Sequence, residues 1–150
     1  MSDERVKDEV PTLGAFKPKA PPSRKINAER RTTLLEEMLE TPGILSEDPE
    51  EQLLGIIRYC IPLIDLLIAR QQGKQPVDED ELDYRGELIQ ASISEQVTAL
   101  RGIDDDLATS LGFLSFWLMT LSTEPSKNVG TRRAIIKSLN EKKEHLKGYI

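Results

Sequence analysis

The sequence predicts an all-α protein, a compact bundle of about five helices preceded by a flexible N-terminal arm. Three observations predict it. Leu, Glu, Lys and Arg outweigh β-branched and aromatic residues, the aromatics being only 5% of the chain, and this balance favours helix over strand. No stretch alternates with period two for long enough to argue a strand. Helix start and stop signals recur along the chain at spacings that leave only short loops. With 150 residues there is room for one domain that folds without metal or disulfide.

Residues 1–25 read as an arm and residues 26–150 as the bundle. The arm holds Pro11, Pro18, Pro21 and Pro22, much charge, and one small apolar island, Val10 to Phe16. Too little apolar surface is present there to offset the entropy of ordering. An apolar island in a polar, proline-rich arm is also the composition of a docking segment, which makes Val10, Leu13 and Phe16 candidate partner contacts.

The first helix is expected from about Asn27 to Glu40, with Asn27 as N-cap and Leu34, Leu35 and Met38 as its apolar patch. "TPG" at 41–43 ends it. "DPEE" then starts the second helix, with Asp48 at the cap, Pro49 at the first helical position and Glu51 three residues after the cap. Gly73 stops this helix after Gln72.

The second helix contains the almost solid apolar run "LLGIIRYCIPLIDLLIAR" at 53–70. On a helical wheel Glu51, Gly55, Arg58, Pro62, Asp65, Ala69 and Gln72 share one narrow sector, and every large aliphatic residue lies outside it. This is a central helix buried on most of its circumference, with one thin polar or small stripe. A proline on the solvent side bends such a helix around a core. Three charged residues within 18, Arg58, Asp65 and Arg70, argue against a membrane span. Arg58 and Asp65, two turns apart on the stripe, are candidates for a polar pair, as are Glu51 and Arg58.

The third helix is expected from about Glu79 to Arg101, with Leu82, Ile89, Ile93 and Leu100 on one face and Val97 on its shoulder. "DDD" at 104–106 caps a fourth, from about Asp106 to Ser122. Leu107, Leu111, Leu114, Leu118 and Leu121 repeat there at spacings of 4 and 3, a packing stripe of coiled-coil type. Thr131 is expected to cap the fifth helix, which runs to about Lys147 with Ile135, Leu139 and Leu146 inward.

The net charge of −6 hides an asymmetry. Residues 17–33 carry six bases against Glu29. Residues 36–83 carry thirteen acids against Arg58, Arg70 and Lys74. Residues 126–150 carry seven bases against Glu141 and Glu144. Basic ends flank an acidic middle, a pattern that suits self-association or an anionic partner.

Few residues here carry chemistry. One histidine, His145, sits among lysines, and one cysteine, Cys60, sits in the apolar helix, so neither a Cys–His pair nor a zinc site is expected. "DEDELD" at 78–83 departs from the EF-hand pattern, and acids leading into a helix suit its dipole. Gly55, Gly86 and Gly112 are isolated within helices and form no phosphate loop. No enzymatic activity, cofactor or metal is expected. A charged start and a lone cysteine point to the cytoplasm.

Two surfaces remain. On the fourth helix Phe113, Phe116 and Met119 lie opposite the leucine stripe, with Trp117 flanking it, and interface cores are rich in such residues. On the fifth, Arg132, Arg133, Lys137, Lys142, Lys143 and Lys147 form a basic cluster that could meet nucleic acid, although no aromatic is interleaved to stack bases. The sequence therefore reads as a non-enzymatic adaptor, assembly or chaperone-like interaction module, a subunit of a larger complex that engages a protein partner or itself. The alternative is an accessory nucleic-acid-binding protein using the basic last helix and the arm.

Overall fold

A computed structural model describes residues 26–120 and 125–150. They form five helices, α1 (Ala28–Leu39), α2 (Pro49–Gln72), α3 (Glu79–Leu100), α4 (Asp105–Met119) and α5 (Val129–Lys147). Among the described residues there is no strand. The fold class is the one the sequence predicts.

Most helix ends are fixed by local chemistry. The Asn27 side chain accepts from the Arg30 N–H at 2.8 Å, and Asp78 accepts from Glu81 N–H at 3.1 Å, each meeting one otherwise orphaned donor of a first turn. Gly73 closes α2 in the left-handed region at φ 70°, where a side chain would be strained.

Three termini depart from expectation. Asp48 occupies the cap position of α2 but makes no side-chain cap bond; its own N–H donates to Ser46 Oγ instead. The α4 cap is Asp104, which accepts from Leu107 N–H at 3.1 Å, so that helix begins at Asp105 rather than Asp106. Asn128, not Thr131, caps α5, and Thr131 is the residue whose N–H Asn128 accepts. Both types cap helices, but asparagine does so more strongly than threonine.

Helices α2 to α5 form an up-down-up-down bundle whose ring closes through the pairs α2–α3, α3–α4, α4–α5 and α5–α2. Antiparallel register is seen directly. Arg70 near the end of α2 pairs with Glu79 at the start of α3, Gly86 of α3 faces Leu118 of α4, and Asp65 of α2 pairs with Lys143 of α5 at 2.7 Å. Helix α1 lies on α3, held by Arg30, whose Nε and Nη2 donate to the two Glu81 carboxylate oxygens at 2.7 and 2.8 Å, and by Glu37 with Arg85 at 3.0 Å. Leu34 beneath them is fully buried, whereas Leu35, expected in the same patch, is exposed.

The core is α2. Ile56, Ile57, Cys60, Leu63, Ile64 and Leu67 are buried and meet Leu82, Ile89 and Ile93 of α3, the α4 leucines, and Leu139 and Leu146 of α5. By length and composition α2 could cross a bilayer, and half of its most apolar window is buried within the bundle. Its thin stripe is only partly a solvated one. Pro62 and Asp65 are exposed, but Gly55 is buried beneath the loop after α1. A Cβ at position 55 would overlap the backbone of Gly43 and Ile44, so that loop approaches the helix only because a glycine stands there. Arg58 and Asp65 do not pair. Arg58 Nη1 donates to the Pro42 carbonyl at 2.8 Å, fastening the same loop, while Asp65 takes Lys143.

Candidate interaction surface

Helix α4 needs two neighbours, and its leucines serve them. Leu107, Leu111, Leu114 and Leu118 are buried between α3 and α5. The remaining face runs along Asp105, Thr109, Gly112, Phe116 and Met119, polar at its start and apolar at its end. Phe116 is 57% exposed and Met119 68%. Phe113 and Trp117 are half-buried at the edge of the core. The aromatic rings form one cluster. Phe116 meets Trp117 edge-on at 5.4 Å, and Phe113 meets Trp117 at 6.2 Å. Such geometry suits the ring quadrupoles and fixes the side chains relative to one another. The Trp117 indole N–H is buried with no hydrogen-bond partner among the described residues.

The sequence placed Phe113, Phe116 and Met119 together opposite the leucines. The structure separates them by depth, because α5 packs beside Phe113 and brings Lys142 Nζ to 5.4 Å from its ring centroid, a cation–π distance. Phe116 and Met119 have no such cover. Val10, Leu13 and Phe16 of the arm lie outside the described residues.

The basic cluster of α5 does not present a single face. Lys143 is held by Asp65, Lys147 lies 3.7 Å from Glu144, and Lys142 covers Phe113. Arg132 and Arg133 line a cleft against the end of α2, and Lys137 is exposed. Three of the six charges thus have partners within the chain, and Arg132, Arg133 and Lys137 form no ion pair with any described residue.

A polar seam joins α4 to α5. Ser110, 2% exposed, shares a 2.7 Å hydrogen bond with His145 Nδ1. The His145 ring meets Tyr149 edge-on, and Tyr149 donates its hydroxyl to Asp104 Oδ2 at 2.7 Å. The tyrosine and the Leu107 N–H hold the Asp104 carboxyl below its usual range, and the same bond pushes the Tyr149 phenol up to about 12. A serine beside a histidine resembles a nucleophile and its base, but Ser110 is closed off by packing, and the seam serves to hold the two helices in register.

A depressed carboxylate stabilises the fold fully above its ordinary pKa and progressively less as pH falls through its lowered value. The melting midpoint of the wild-type protein should therefore exceed that of Asp104→Asn at pH 7. The gap should narrow below about pH 4, where an ordinary aspartate begins to protonate. A gap that stays constant from pH 7 to pH 3 would show that Asp104 acts through its shape and not its charge.

Cys60 is fully buried and its thiol is pushed up to about 12 by desolvation, so it packs as a small neutral hydrophobe. Among the described residues no three His, Cys, Asp or Glu side chains group to hold a metal ion. No protein-family model, curated protein or solved structure matches the chain.

Proposed function

We propose that this protein is a non-enzymatic helical interaction module, an adaptor or assembly subunit that captures a protein partner or a second copy of itself through the C-terminal half of α4. The observation that carries this reading is the exposure of Phe116 and Met119 on a helix whose core-facing side is already complete. Exposed aromatic and methionine side chains grouped with a half-buried tryptophan are the composition of an interface core. The cytoplasm is the compartment that fits the lone buried thiol and the charged composition.

Nucleic-acid binding has less support. Phosphate tracking needs free cations along one face, and Lys142 and Lys143 are engaged within the bundle, while Lys147 lies beside Glu144 of its own helix.

Phe116→Glu tests the interaction reading. A surface position tolerates charge, so the variant should keep its helical circular dichroism and lose self-association by light scattering, or lose the partner that co-purifies with the wild-type protein from its native host. Loss of one interface aromatic costs about 2 kcal/mol or more, at least a thirtyfold weakening. A folded variant with unchanged mass and unchanged partner capture would overturn the proposal.

A further inference from the structure

We propose that the cleft between the C-terminal end of α2 and the N-terminal end of α5 binds an acidic peptide segment, one that carries an apolar side chain next to its carboxylate. The cleft has a volume of about 340 Å³ and is lined by Gln71, Lys74, Val129, Arg132, Arg133 and Ile136. In the ring of helices it lies on the α2 side of α5, away from the α4 aromatic cluster.

Three chemical features converge in it. Lys74, Arg132 and Arg133 form no ion pair with any described residue, although bases elsewhere on the bundle, including Arg30, Arg85 and Lys143, each meet a carboxylate. Two neighbouring guanidinium groups favour a planar oxyanion that can be held by paired hydrogen bonds. The second feature is Gln71, which is 4% exposed and whose Oε1 has no hydrogen-bond partner among the described residues. Arg132 Nε is likewise buried and unmatched. Buried polar atoms are nearly always satisfied, so these two atoms have bonding capacity that a ligand in the cleft can meet. A carbonyl oxygen lacks a donor, a guanidinium N–H lacks an acceptor, and a turn of the Gln71 amide about its soft terminal torsion would offer its oxygen to the cleft. The third feature is apolar. Val129 is exposed and Ile136 half-buried.

A peptide answers all three. Its backbone N–H suits Gln71, its carboxylate suits Arg132 and Arg133, and an adjacent apolar side chain suits Val129 and Ile136. Inorganic phosphate answers only the cations. The helix ends contribute little net attraction. The first turn of α5 carries no acid and leaves its amides unscreened, but the α2 carbonyl end lies beside it with the opposite sign. Selectivity rests on the side chains.

The test uses the full chain and fluorescein-labelled peptides of alternating glutamate and leucine, with a glutamine–leucine control and inorganic phosphate as competitor. Fluorescence anisotropy should show salt-sensitive binding of the acidic peptide and none of the control. Arg133→Ala should weaken binding about tenfold, the scale of one charge-assisted hydrogen bond. Gln71→Glu, which sets a carboxylate in the cleft, should abolish binding while the circular dichroism stays unchanged. Phe116→Glu should bind the peptide as the wild-type protein does, which separates this site from the α4 surface. Equal binding of the neutral peptide, no binding of the acidic one at low salt, or displacement by phosphate at the peptide's own concentration would each overturn the proposal. The last outcome would assign the cleft to a small anion.

Discussion

Leu114→Glu should unfold the bundle, whereas the same substitution two residues further along at Phe116 leaves it folded. Leu114 is buried between α3 and α5, and Phe116 faces outward on the same helix. Two residues turn a helix by roughly 200°, which carries the side chain from the core to the surface. Truncating a buried leucine to alanine already costs about 2–5 kcal/mol. Glutamate adds the cost of a buried charge, or of a protonated acid without a partner. Domains of this kind have about 5–15 kcal/mol of stability in total, so the change consumes most or all of it. Circular dichroism should show lost helix and no cooperative thermal transition at 25 °C and above. A cooperative melt within a few degrees of the wild type would mean that α4 is not packed as described. Run beside Phe116→Glu, the pair measures which face of α4 belongs to the fold.

Gly55→Leu should be the next most damaging change. A side chain at this position must displace the backbone of Gly43 and Ile44. Displacing that loop also exposes Ile44, which is buried, and breaks the bond from Arg58 to the Pro42 carbonyl. Burial of an isoleucine is worth about 1.5–3 kcal/mol, and a hydrogen bond from a charged donor a further 1.5 kcal/mol or so. The better helix propensity of leucine returns less than about 1 kcal/mol. A net loss of about 3 kcal/mol lowers the midpoint of a domain this size by about 6–12 °C. Gly112→Ala supplies the control. It also lies inside a helix, with open space where its Cβ would go, and should raise the midpoint by one to a few degrees. If Gly55→Leu melts within about 2 °C of the wild type, the close approach of loop and helix is not a source of stability.

The helices were legible in the sequence because their signals are local. Asn27, Pro49, Gly73 and Asp78 each act within one turn of the terminus they define. Asn128 carries the same kind of signal and prevails over Thr131, since both types cap helices but asparagine does so more strongly. The leucine stripe of α4 was readable from spacing alone, and with it the unused side on which Phe116 and Met119 stand. What could not be read depends on pairings across the fold. Gly55 is isolated in sequence, and its role follows from where the 41–45 loop returns to α2. Arg58 and Asp65 share a stripe, yet one is drawn to that loop and the other to α5. The half-buried state of Phe113 depends on Lys142, and the Gln71 cleft on the register of α2 against α5. These registers are set by packing among helices distant in the chain, which single-helix periodicity does not encode.

The closing of the ring by α5 has a consequence for biosynthesis. Helix α2 ends at Gln72, and the helix that covers one flank of it ends about 75 residues later, at Lys147. At translation rates of about 5–20 residues per second the nascent chain carries this apolar helix incompletely sheltered for on the order of 4–15 s. During that interval the ribosome-bound chain displays a segment that matches a bilayer span in length and composition, with fewer of its own helices to cover it. A truncation that removes α5 prolongs the interval indefinitely, and such fragments should aggregate through the flank of α2 that Leu139 and Leu146 otherwise cover.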